Sequence, residues 1–160
     1  MNRFKLADWA AVAEVIGTAG VIVSLIFVAF SINSNTEEAR ASQTNYLFES
    51  SREIELAVAT DHEWSRIVVK GRSRSEPLSE IEQFRYDAYL VANIDLWDWM
   101  LDRYDDGLMT DINLDGWDRY FVGWTKSNIS ESDWQRLRWQ YDGDPIGQAV
   151  LEAKSANSVN

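Results

Sequence analysis

Cysteine is absent from this chain. That excludes disulfides, thiolate nucleophiles and zinc–thiolate sites, and leaves the redox compartment open. Proline occurs twice and glycine eight times, and so few breaker residues favour long helices. Histidine occurs once, at His62 in "TDHEW", too few for a multi-histidine metal site. Positive charge is also scarce: 15 Lys and Arg stand against 26 Asp and Glu, a net charge of −11. Residues 1–32 carry Arg3 and Lys5 against Asp8 and Glu14 and are neutral, so the whole deficit lies in residues 33–160. A body that acidic is repelled by phosphate backbones and anionic headgroups, which argues against nucleic acid as a partner.

What the sequence does have is one long apolar run. Residues 10–32 number 23 and hold a single charge, Glu14. About 20 apolar residues span the hydrocarbon core of a bilayer as a helix. Trp9 stands at the near edge, where an amphipathic ring favours the interface. A signal peptide would have a shorter apolar core, and Ala29-Phe30-Ser31 is a mediocre cleavage site. The chain is therefore divided into an N-terminal flank (1–9), a transmembrane helix (10–32), an acidic α-helical soluble domain (33–154) and a disordered tail (155–160). Arg3 and Lys5 place the N-terminus in the cytoplasm by the positive-inside rule.

Small residues recur through the apolar run. Ala10, Ala13, Gly17, Gly20, Ser24, Phe27 and Ser31 follow one another at alternating spacings of four and three, which sets them on one stripe of a helix. Lipid tails are as apolar as leucine, so close backbone contact, permitted by small side chains, drives helix pairing in a bilayer. Ala13, Gly17, Gly20 and Ser24 are the candidate packing residues, toward another copy or a partner's transmembrane helix. Glu14 adjoins the stripe about 7 Å along the helix from Trp9. It is a candidate intramembrane polar site: a residue making hydrogen bonds at the interface or, in the alternative, an acid near the axis of an oligomeric ion channel or sensor.

"WAAVAEVIGTAGVIVSLIFVAFSINSNTEEARAS" resembles the start of a family of small bacterial single-pass membrane proteins of unassigned function. The matching features are Trp9, Glu14, Gly17, Val21, Ser24, Leu25, Asn35 and Thr36. The likeness continues through "DHEWSRIVVKG", "PLSEIEQFRYDAYL" and the Trp-rich stretches after Gly107. It implies a bacterial single-pass protein and carries no catalytic residues; the location expected for the chain is a bacterial inner membrane. The family places a basic residue just before the Asn-Thr pair and this chain has Ser34. The family pattern favours a cytoplasmic domain, against the orientation that Arg3 and Lys5 favour.

The soluble part reads as all-α. No Pro or Gly lies between Val21 and Gly71, so the membrane helix is expected to continue through residues 36–59 with Ala39, Leu47, Ile54, Ala57 and Val58 on one face. A short helix follows, capped by Asp61, with Trp64, Ile67 and Val68 inward and a stop at Gly71. "SEIE" is a capping box of Ser79 and Glu82. It opens a helix that ends at Gly107, long enough to pair antiparallel with 36–59, its buried stripe being Ile81, Phe84, Ala88, Val91, Ile94, Trp97, Leu101 and Tyr104. Three shorter helices follow. One opens after Asp115 and buries Trp117, Tyr120, Phe121 and Trp124. The next is capped by Ser130 and Asp133 and presents Trp134, Leu137 and Tyr141. The last has Pro145 in its first turn. Of the eight tryptophans, the seven beyond Trp9 are expected mainly in the core, since each buries a large area.

Little of this carries chemistry. "DINLDG" supplies Asp111, Asn113, Asp115 and Gly116 of a calcium loop, but Val122 occupies the position that needs a bidentate acid. Asp95, Asp98 and Asp102 share a helix face and read as a solvated surface before an acid–base pair. His62, with Asp61 and Glu63 beside it, reads as an exposed first-turn residue. No phosphate loop or nucleophile elbow occurs. The expectation is a non-enzymatic structural or interaction subunit with no cofactor and no metal. It meets the lipid bilayer and a helix partner through its N-terminal segment and a protein partner through its acidic domain.

Overall fold

The computed structural model of the protein describes residues 6–155, and every element in them is helical. The basic flank at Arg3 and Lys5, the side chain of Ala10 and the tail after Ser155 lie outside the described residues. By backbone contacts the chain divides into two units, Met1–Ala39 and Arg40–Asn160.

Helix α1 runs from Leu6 to Thr60, the uninterrupted helix that the missing breakers called for. In the first unit its side chains from Ala11 to Ile32 are all exposed. Val15, Ile16, Val23, Leu25, Phe27 and Phe30 are each more than half exposed. It is long and apolar enough to cross a membrane, and none of its most apolar stretch is buried within the chain.

In the second unit the last turns of α1 are followed by α2 (His62–Ser73), α3 (Glu80–Asp105), α4 (Asp111–Asn128), α5 (Glu131–Leu137), a 3₁₀ turn (Arg138–Tyr141) and α6 (Pro145–Ser155). Asp61 caps α2 by accepting from the Trp64 N–H. Ser79 and Glu82 form the capping box of α3, and Ser130 and Asp133 that of α5. Such caps are each worth about 1 kcal/mol, because they satisfy helix-end donors that water would otherwise have to reach. Glu82 also takes Lys70 and Arg66. The Ser79 N–H and these two cations hold its carboxyl at about 2.

α3 is the central element and touches α2, α4, α5 and α6. Its buried face is Tyr86, Leu90, Asn93, Ile94, Leu96, Trp97 and Met100. Trp97 stacks on Phe121 of α4 with ring centroids 5.8 Å apart, and Trp134 of α5 stacks on Tyr141. α1 joins this core through Leu47, which is fully buried, with Ser51 beside it and Ile54 half-buried. Arg40 donates to the Gly107 carbonyl and Tyr46 meets Trp99. Ascending α1 thus meets descending α3, the antiparallel pairing expected, held by long side chains.

Several expectations are corrected. Ile81 and Phe84 are 70% and 75% exposed and Ala88 is exposed too. The inward face at the start of α3 is set instead by Tyr86, whose hydroxyl donates to the Asn128 carbonyl. α2 does not stop at Gly71; it runs to Ser73, and Arg74 closes it at φ 51°. Gly71 serves packing: a Cβ there would sit 2.7 Å from the Tyr86 ring. α4 begins at Asp111 under a Thr110 cap and not after Asp115. Phe121 is buried, whereas Trp117 and Trp124 are half-buried and Tyr120 is 37% exposed. Of the tryptophans expected inside, Trp97 and Trp134 are buried and Trp139 is 74% exposed.

Asp133 ties three helices together. Burial pushes its carboxyl up, but donors from Ser130, Arg136 and Arg74 outweigh that and hold it below the usual carboxylate range. Arg136 also bridges to Asp87 of α3 at 2.8 Å.

Two glycines in helix interiors should respond oppositely to alanine. Gly71→Ala forces a methyl into a buried ring pinned by its hydroxyl, and should destabilise by about 1–3 kcal/mol. Gly123→Ala meets nothing within 4 Å and should stabilise by about 0.5–1 kcal/mol through helix propensity. Thermal melts followed by circular dichroism on the full chain check both signs.

Candidate functional site

The sequence-predicted residues of the first unit lie on one uncovered helix face. Ala13, Gly17, Gly20 and Ser24 are all exposed, and a Cβ built at Gly17 or Gly20 would meet nothing within 4 Å. The face spans about 16 Å along the axis, at about 1.5 Å per residue. Ser24 donates its hydroxyl to the Gly20 carbonyl at 2.9 Å, and Thr18 does the same to the Glu14 carbonyl. These bonds satisfy the hydroxyl protons without water, which a lipid setting requires. Glu14 is exposed on the same helix. The result is a groove of small atoms between aliphatic flanks, open to a close-packed neighbour.

The acidic candidates Asp95, Asp98 and Asp102 lie along α3, close enough to act on one another's charge. Asp95 accepts from the Tyr141 hydroxyl at 2.9 Å. Asp98 is half-buried; burial first, then the charges of Asp102, Asp144 and Asp95, raise its carboxyl above the usual range. Burial first, and then the same Asp95 contact, push the Tyr141 hydroxyl up. His62 is the exposed first residue of α2. "DINLDG" forms the first turns of α4, so it is no calcium loop. Asp111 accepts from Tyr104, Asn113 bonds Thr44, and Asp115 pairs with Arg119 at 2.7 Å. Among the described residues no group of three or more His, Asp or Glu is placed to hold a metal ion.

A feature absent from the sequence reading lies between the last turns of α1 and the first half of α4. These segments run in the same direction: Thr44 meets Asn113, Phe48 meets Trp117 and Glu55 meets Tyr120. Between them is an open groove of about 920 Å³ with Phe48, Leu56, Ile112, Trp117 and Tyr120 on its walls and Arg52 and Glu55 at its edge. That volume is at the upper end of ligand-site sizes. Phe48 is 58% exposed and Ile112 is 86% exposed. The signal that would have found it is apolar residues off the core stripe of α1, Phe48 and Leu56, facing Ile112 across a sequence gap that no periodicity bridges.

Comparison with protein-family models, curated proteins and solved structures found no match to the chain.

The Asp98 geometry gives a pH prediction. A carboxyl raised in the folded state lowers stability at neutral pH. The penalty is absent below the unfolded value of about 3.9 and complete above the folded one. Asp98→Asn should therefore be more stable than the parent at pH 7, with the gap closing by pH 3, as read from paired denaturation curves.

Proposed function

We propose that this chain is a single-pass, membrane-anchored interaction subunit that self-associates through its N-terminal helix and presents an acidic helical domain to a protein partner. The observation that carries the reading is the uncovered apolar segment of α1 with its small-residue face. Valine, isoleucine and phenylalanine side chains there are exposed all round the helix, while Gly17 and Gly20 leave a strip with no side chain at all. Lipid is the cover that fits the first, and a second helix the cover that fits the second.

The resemblance to small bacterial membrane proteins supports a bacterial inner membrane as the location. Arg3 and Lys5 before the helix support a cytoplasmic N-terminus. The charge of −11, carried wholly outside residues 1–32, supports a protein partner over nucleic acid or an anionic lipid surface. The lone, exposed histidine supports a non-enzymatic role.

Light scattering of the detergent-extracted protein tests the reading. The parent should have the mass of an oligomer. Gly17→Leu combined with Gly20→Leu should shift the population toward smaller assemblies, because two leucines hold the backbones apart. Glu14→Gln should leave the mass unchanged, and in the channel alternative it would alter conductance across a planar bilayer. A parent chain that is monomeric, or that stays in solution without detergent, overturns the proposal.

A further inference from the structure

The groove between α1 and α4 holds about 920 Å³, and its walls are apolar and left uncovered by the described chain. We propose that it is filled by a second copy of this chain: two grooves face each other about a two-fold axis parallel to α1 and α4, and the four helices close around one apolar core. The groove belongs to the second unit and the Gly17–Gly20 face to the first, and the inference rests on the membrane reading only in that anchoring raises the local concentration of copies.

Three observations point to a second copy. The first is charge. A two-fold contact sets each patch against itself, so in a body of net charge −11 it needs a patch that is neutral and self-complementary. The groove edge carries one cation and one anion, Arg52 and Glu55, three residues apart on α1. In parallel helices that offset is about 4.5 Å along the axis, within the reach of an arginine side chain, so Arg52 of each copy meets Glu55 of the other. Within the described chain Arg52 has no partner, and Glu55 receives only the long 3.3 Å bond from the Tyr120 hydroxyl.

The second is relief. Ile112 is the most exposed large apolar side chain described, at 86%. One turn further along α4, Gly116 lines the same groove, and a Cβ there would meet nothing within 4 Å. A knob and a hole on one face are what a self-complementary contact requires, since residue i must meet j and j must meet i. The third is that Gly116 has no internal reason to be glycine. It sits in a helix interior at negative φ, where glycine costs about 1 kcal/mol against alanine, and nothing in its own chain crowds it. Gly123 is equally uncrowded, but Gly116 lines the groove, where a close neighbour from a second copy would use its bare backbone.

The absence of native cysteine makes the test clean. Single-cysteine variants of the full-length chain, reconstituted in liposomes, are treated with a short bis-maleimide. Ile112→Cys should give covalent dimer at least tenfold faster than Ile81→Cys, which is also exposed but does not line the groove. In the Ile112→Cys background, Gly116→Trp should slow cross-linking at least tenfold with helicity unchanged. Arg52→Glu and Glu55→Arg should each slow it, and the two together should restore it. Equal rates at positions 112 and 81, no effect of Gly116→Trp, or no rescue by the charge swap overturns the proposal. So does a monomer whose groove takes up an apolar dye that Gly116→Trp excludes, since that occupant is a small molecule. A Ser24→Cys variant separates the two readings. Cross-linking at position 24 without 112 overturns the groove contact alone; at 112 without 24 it overturns the helix-face contact and supports the groove.

Discussion

The structure depends on a demand its own chain does not meet: cover for the apolar side chains of α1. Between Val12 and Ile32 a dozen Val, Ile, Leu and Phe side chains are each about half exposed or more. Each is worth about 1.5–3 kcal/mol when moved out of water, so together they represent on the order of 20 kcal/mol. A folded domain has about 5–15 kcal/mol of net stability. No element of the described chain supplies that cover, and on the proposed membrane reading a bilayer supplies it without adding one protein contact.

Once lipid is the solvent, the hydrophobic effect no longer distinguishes one face of the helix from another. What distinguishes them is how near a second backbone can come. Gly17 and Gly20 then change meaning. In water each would be a helix-weakening residue, whereas in lipid each is an opening. Ser24 and Thr18 return their hydroxyl protons to carbonyls four residues back, so the polar atoms of this segment add no demand of their own. Glu14 is the exception, and its place near the start of the segment keeps its carboxylate within reach of the interface.

The acidic unit was legible wherever a local rule decides the structure. Asp61, Ser79 with Glu82, Ser130 with Asp133 and Pro145 each mark a helix start by chemistry confined to one turn, and each does so in the structure. The reading failed where tertiary contact overrides the local choice. The apolar sequence at Ile81, Phe84 and Ala88 offers a good stripe, but Tyr86 has a hydroxyl to place and a ring that Gly71 makes room for, and it takes the inward position. Thr110 and Asp115 are both able caps, and the contacts of Asp111 with Tyr104 and Asn113 with Thr44 favour the earlier one. The helix-face site was readable because it is a single-helix pattern. The groove was not, because α1 and α4 are brought side by side by packing across more than fifty intervening residues.

Charge then decides what kind of contact the unit can make. Arg66, Lys70, Arg74, Arg119, Arg136 and Lys154 are all engaged with acids of their own chain, so much of the positive charge ties helices together and the remaining surface is left acidic. Long-range repulsion between two such surfaces is screened beyond roughly 8 Å at physiological salt. A contact between copies is therefore limited by the charges at the patch itself and not by the total. That condition favours a neutral, apolar patch such as the α1–α4 groove for the proposed self-contact.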